Sequence, residues 1–193
     1  MNLPNALTLS RIFLVPLLVV VLLTKFEGRL VLGVPKDLAA AAIFGLASLT
    51  DWLDGYLARR RKQITPLGQM MDPLADKLLT SAAFISLVQL EMAPAWMIAI
   101  IIGRELAITA LRSIGYSRGV NIPASPMGKV KMGAEVVAIM ALTLRPRLGP
   151  LAFVGPAALW VAVATAVISA VDYYRRFMRG PGPRSAEIAG PPL

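Results

Sequence analysis

DWLDGYLARRRKQITPLGQMMDPLAD, residues 51–76, holds four of the chain's eleven acidic residues in a sequence that is 56% hydrophobic. Carboxylates are among the most costly side chains to place in apolar surroundings, so four together call for a compensating partner. Asp51, Asp54, Gly55, Ala58 and Arg59 recur at i, i+3, i+4, i+7 and i+8 and share one stripe of a helix. That stripe holds acid, acid, glycine, alanine and arginine where a core helix would hold aliphatics. Gly68, Asp72 and Asp76 follow at i, i+4 and i+8 on the next helix. Two facing helices that each offer a carboxylate pair suit hard divalent cations, and the small residues admit a ligand close to the backbone.

The rest of the chain has the composition of an integral membrane protein. Its 193 residues leave room for one domain. Charged residues make up 16%, below the ~25% usual in soluble domains, and the mean hydropathy is +0.66. A net charge of +9 then points to anionic lipid and phosphate ligands, and not to nucleic acid. With no cysteine, disulfides and thiolate metal sites are excluded; with no histidine, a general base must be a carboxylate, a lysine, a tyrosine or bound hydroxide. No A-x-A-like cleavage site follows the apolar run ending near Leu23, so the first helix is expected to be retained.

Apolar segments at 4–24, 38–59, 66–90, 93–111, 128–144 and 148–174 predict an all-α protein with six transmembrane helices. Only the sixth, uncharged over 148–171, reaches by itself the ~20 residues a span requires. The others reach full length by taking in charge at one end. The first is polar at its start (Asn5, Thr8, Arg11) and the second at its end (Asp51, Asp54, Arg59). The third starts with Asp72, Asp76 and Lys77, and the fourth ends with Arg104, Glu105 and Arg112. The fifth starts with Lys129 and Lys131, and the sixth ends with Asp172, Arg175 and Arg176. In an up-down bundle all six polar ends fall together, which predicts a polar cavity open to one face.

Only Lys25, Arg29, Lys36, Arg145 and Arg147 fall in the opposite loops, so the polar face is expected to be cytoplasmic, with both termini there. Residues 1–179 read as a single transmembrane domain and the Gly- and Pro-rich 180–193 as a disordered tail. Thr65-Pro66 and Asp72-Pro73 each offer a start for the third helix. The earlier start would place Pro73 inside the helix, next to Asp72.

The pattern D-x2-D-G-x2-A-R-x8-G-x3-D-x3-D is filled without departure by Asp51, Asp54, Gly55, Ala58, Arg59, Gly68, Asp72 and Asp76. It resembles the signature of the CDP-alcohol phosphotransferases. NLPNALTLSR (2–11), GRELAITALR (103–112) and GKVKM (128–132) extend the resemblance over about residues 2–176. The resemblance implies transfer of the phosphatidyl group of CDP-diacylglycerol to sn-glycerol 3-phosphate, with release of CMP, by a homodimer in a bacterial inner membrane. It implies that Asp51, Asp54, Asp72 and Asp76 hold one or two Mg²⁺ or Mn²⁺ ions. Asp76 is carried over as the base that takes the acceptor hydroxyl proton. Asp51, Gly55, Ala58, Arg59 and Gly68 are carried over as the CDP site. A buried ion cluster against Arg59, Arg60, Arg61 and Lys77 is the structural alternative, although such a cluster seldom outperforms apolar packing.

Asn5, Thr8 and Arg11 read either as helix caps and interfacial anchors or as residues near the nucleotide, where Thr8 joins the CDP site. Arg104, Arg112, Lys129 and Lys131 are each, taken singly, positive-inside anchors. Together, and on the resemblance, they look like a pocket for the acceptor's phosphate, with Glu105 orienting an arginine. The chain departs from the family's GKxKT…Q run at Met132 and Glu135, which replace a hydroxyl and an amide. Inositol phosphate, phosphatidylglycerol and serine are the alternative acceptors. A metal or solute transporter is the alternative of another class. It predicts polar residues at the bilayer midplane, whereas here the acids gather at helix ends on one side.

Overall fold

Prolines set where the helices begin. α1 spans Leu3–Leu23. α2 (Lys36–Arg61) follows Pro35, α3 (Pro66–Gln89) starts on a proline, and α4 (Ala95–Ser117) follows Pro94. α5 (Pro126–Thr143) starts on a proline, and α6 (Val154–Met178) carries Pro156 in its first turn. These positions need no intrahelical N–H, and the fixed φ of proline suits a first turn. The structure, a computed structural model, describes the backbone of residues 3–24, 30–31, 33–61, 66–117 and 126–178. It describes side chains over 10–24, 31, 33–50, 74–114, 130–175 and 178, so the tail at 180–193 lies outside the described residues.

Two local features differ from what the sequence predicts, and a third resolves a choice the sequence leaves open. Between α1 and α2 lies a short antiparallel pair, β1 (Leu30–Val31) and β2 (Val34–Pro35), with Leu30 opposite Pro35 and Val31 opposite Val34. Two 3₁₀ turns, Arg145–Arg147 and Gly149–Leu151, occupy the expected start of the sixth segment and delay α6 to Val154. α3 begins at Pro66 and continues through position 73, which settles the choice between the two Pro-preceded starts.

Cross-helix contacts establish the alternation of direction. At one end, Lys36 at the start of α2 donates from Nζ to the Leu22 carbonyl near the end of α1, at 3.2 Å. Arg147, just past α5, is ion-paired with Asp37 in the first turn of α2. Trp96 and Trp160, near the starts of α4 and α6, meet edge to face with centroids 5.6 Å apart. At the other end, Lys77 near the start of α3 donates to Thr109 toward the end of α4. There, too, Arg104 of α4 reaches Ser169 of α6.

The core is built to let helices approach closely. Ala40, Ala47, Ala83, Ala138, Ala162 and Ala166 are buried between larger residues such as Leu18, Phe44, Phe84, Leu87, Ile139 and Leu159. α5 packs most extensively on α6, and α1 on α3. At the α5–α6 crossing a Cβ on Gly155 would meet Leu142 Cδ2 at 2.9 Å and Leu142 N at 3.1 Å, so only glycine fits.

The outside is apolar as well. Phe13, Leu46, Ile85, Leu106, Val137 and Ile168, one from each helix, are exposed. A bundle apolar both inside and out is suited to a lipid environment. Among the described residues one segment, Gly149–Arg175, is long and apolar enough to cross a membrane by length and composition, with hydropathy 2.2.

Candidate active site

The polar ends of α3, α4, α5 and α6 come together, and the described side chains there form a connected charged network. Arg104 and Glu105 sit side by side on α4, with Nη1 donating to Oε1 at 2.6 Å. Arg104 Nη2 also donates to Ser169 Oγ of α6 at 2.8 Å. Lys131 of α5 is ion-paired with the same Glu105 and, one turn along its own helix, with Glu135 Oε1 at 3.0 Å. Three helices are thus joined through two neighbours on α4, Glu105 reaching α5 and Arg104 reaching α6. Two cations face two anions, and the side chains of Lys131 and Glu135 are only 3% and 6% exposed. Charges buried this far are tolerated only when each is paired.

The network extends along α6. Thr165, Ser169 and Tyr173 recur every four residues and are all buried. The Tyr173 ring supports Arg112, whose Cζ lies 5.6 Å from the ring centroid. Tyr173 Oη and Arg104 Nε are buried without hydrogen-bond partners among the described residues. They leave two unused polar groups beside a cluster of cations, and an oxyanion or a hydroxyl could satisfy both.

Of the cations expected to gather here, Arg104 and Lys131 are joined through Glu105, and Arg112 stands apart against Tyr173. Lys129 is on the first turn of α5, but its side chain lies outside the described residues. The two departures from the family pattern separate. Glu135 is buried in the network, whereas Met132 is exposed on another face of α5. Ser169 and Tyr173 carried no motif, and their signal was a polar period of four on an otherwise apolar helix.

Among the four aspartates, Asp76 is described: its side chain is half-buried on α3, one position before Lys77, which holds Thr109. Its carbonyl accepts from Thr80 Oγ1 at 3.0 Å. Asp51, Asp54, Gly55, Ala58 and Arg59 lie on the last part of α2, and Gly68 and Asp72 on the first part of α3. Their side chains, like that of Thr8 on α1, lie outside the described residues. The helical backbone alone keeps Asp51 with Asp54 on one face of α2, and Asp72 with Asp76 on one face of α3. Four carboxylates, with no nitrogen or sulfur donor, fit a hard octahedral cation such as Mg²⁺ or Mn²⁺. Arg11, on α1 against α3, is 1% exposed and far more deeply set than an interfacial anchor would be.

The chain is similar to known proteins over most of its length. The family model for CDP-alcohol phosphatidyltransferase matches residues 1–168. A CDP-diacylglycerol–glycerol-3-phosphate 3-phosphatidyltransferase of Bacillus subtilis is 45% identical over 184 residues, covering 91% of this chain and 94% of that protein. A probable phosphatidylglycerophosphate synthase of Mycobacterium tuberculosis is 41% identical over 181 residues, 94% of this chain and 84% of that protein. A Pseudomonas fluorescens protein with the same name as the first is 36% identical over 152 residues, 76% of this chain and 74% of its own length.

Proposed function

The chain belongs to the CDP-alcohol phosphatidyltransferase family, and from that premise we propose that it transfers the phosphatidyl group of CDP-diacylglycerol to sn-glycerol 3-phosphate. The products are phosphatidylglycerophosphate and CMP. The observation that carries this reading is the family match over residues 1–168, together with an eight-position motif filled without departure.

Asp51, Asp54, Asp72 and Asp76 would hold one or two Mg²⁺ or Mn²⁺ ions, which neutralise the diphosphate and stabilise the charge that develops on the leaving CMP. Gly55, Ala58 and Gly68 admit the CDP moiety close to the helix backbone, and Arg59 and Thr8 bind its polar groups. Asp76 takes the proton from the acceptor hydroxyl. The acceptor oxygen attacks the phosphorus that carries diacylglycerol, a new P–O bond forms, and the bond to the CMP phosphate breaks. Arg104, Arg112, Lys129 and Lys131 bind the acceptor's own phosphate. Glu105 and Glu135 hold Arg104 and Lys131 in place, so those cations need no reorganisation when the acceptor arrives.

The bundle spans the bacterial inner membrane six times, with the polar end and both termini in the cytoplasm. The exposed apolar residues on all six helices support this reading, as does the scarcity of Lys and Arg at the opposite end.

CMP release by the purified protein, with CDP-diacylglycerol and Mg²⁺, tests the assignment. Release should require sn-glycerol 3-phosphate and collapse in Asp76→Asn. Activity with inositol phosphate, phosphatidylglycerol or serine instead would keep the chemistry and overturn the acceptor.

A further inference from the structure

The turn between α3 and α4 runs against local backbone preference. Met92 N–H donates to the Leu87 carbonyl at 2.9 Å, and Glu91 N–H to the Val88 carbonyl at 3.0 Å. This paired closure of a helix places the residue just past its end in the left-handed region, where glycine is favoured. Here that residue is Glu91, at φ 58°, the one non-glycine with positive φ among the described residues. A side chain that carries such a steric penalty points to a use beyond the turn itself.

Glu91 lines a cavity of ≈ 560 Å³ at the end of the bundle opposite Asp76, with Met92, Met97, Leu159 and Trp160 as apolar wall and Arg145 as its cation. Arg145 and Arg147 share one 3₁₀ turn but differ in partner. Arg147 is held by Asp37, whereas neither Arg145 nor Glu91 forms an ion pair with a described residue. Trp160 and its edge-on partner Trp96 are both exposed beside the cavity, as tryptophans at a membrane–water boundary are. One acid, one base and an apolar wall at that depth form a complementary set.

We propose that this cavity binds a phospholipid whose head group carries a phosphate and a primary ammonium, with Arg145 on the phosphate and Glu91 on the ammonium. The acyl chains leave the cavity along the exposed apolar faces of α4 and α6, past Ile100 and Val161. An anionic lipid would leave Glu91 unpaired and repelled, and a quaternary ammonium has no N–H to offer it. The proposal rests on the reading that the bundle spans a membrane, and it concerns the end away from the transfer site.

The test is thermal unfolding of the purified full chain in detergent, titrated with dihexanoyl phosphatidylethanolamine, dihexanoyl phosphatidylglycerol or dihexanoyl phosphatidylcholine. Phosphatidylethanolamine should raise the midpoint at about tenfold lower concentration than the other two. Glu91→Gln and Arg145→Gln should each weaken that response by about tenfold and leave CMP release unchanged. Glu91→Gly should unfold at a higher temperature than wild type without lipid, yet lose the response, which separates binding from folding. An equal response to phosphatidylglycerol, or a full response in Glu91→Gln, would overturn the proposal. So would a midpoint that rises with protein concentration in place of lipid, since the occupant would then be a second copy of the chain. Wild-type protein that responds to lipid but releases no CMP with any acceptor would instead refute the transfer reading.

Discussion

Lys131 Nζ lies 3.0 Å from Glu135 Oε1, one turn further along α5, in a place almost sealed from solvent. The same lysine also meets Glu105 of α4, so its charge is compensated twice over. Glu135→Gln keeps the shape and an acceptor oxygen but removes one negative charge beside Lys131. The expected result is a stability loss of about 1–2 kcal/mol, read as a lower unfolding midpoint in detergent. If Lys131 belongs to the acceptor pocket, as proposed, the KM for sn-glycerol 3-phosphate should fall a few-fold, because that pocket becomes more positive toward an anionic acceptor. A raised KM would show that Glu135 serves to orient Lys131 and not to moderate its charge.

On the proposed reading Asp76 takes the acceptor proton, so Asp76→Asn should lower CMP release by about 10²- to 10⁴-fold while leaving helical circular dichroism intact. Chelation of divalent metal should silence wild type to a similar degree. Added Mg²⁺ should restore wild type and leave the variant silent, which distinguishes loss of the base from simple loss of metal.

How legible this molecule is in its sequence depends on whether a feature leaves a periodic or local mark. The starts of α2 to α5 were readable because prolines stand at or beside them, whereas the end of α4, at Ser117, lies beyond the predicted segment 93–111. The start of α6 was not readable, since Pro146, Gly149 and Pro150 permit either a loop or the two 3₁₀ turns that form. The meeting of Arg104, Lys131 and Glu105 followed from alternation of the helices, a long-range inference that needs only the polar ends. The burial of Glu135 could not be read, because GKVKMGAE (128–135) reads as the polar start of the fifth helix, where an acid is expected to reach solvent. Ser169 and Tyr173 were hidden for a different reason. Two polar residues in a helix this apolar pass as ordinary interruptions unless their spacing from Thr165 is counted.

Gly155 and Gly149 should respond differently to alanine. At Gly155 the added Cβ meets both the backbone and the side chain of Leu142, so the α5–α6 crossing must open. Gly155→Ala should cost about 1–3 kcal/mol. Gly149 has open space around it, but its φ of +48° penalises any L side chain, so Gly149→Ala should cost about 1 kcal/mol. Unfolding midpoints of the two variants, measured in one detergent, check the order.

Burial decides which ion pair matters for stability. Arg147 and Asp37 pair where their side chains are 43% and 18% exposed, so Arg147→Ala should cost at most about 1 kcal/mol. That small effect should shrink further as salt is raised. Lys131→Met makes the opposite case, because it leaves Glu105 and Glu135 near each other with their shared cation gone. The cost should be about 3–5 kcal/mol and nearly independent of salt. Adding Glu135→Gln to Lys131→Met should recover most of that loss, since Glu105 then still pairs with Arg104 and no uncompensated charge remains at Lys131's site. If the double variant stays as unstable as the single one, packing of the lysine's aliphatic stem holds the helices together, and charge compensation does not.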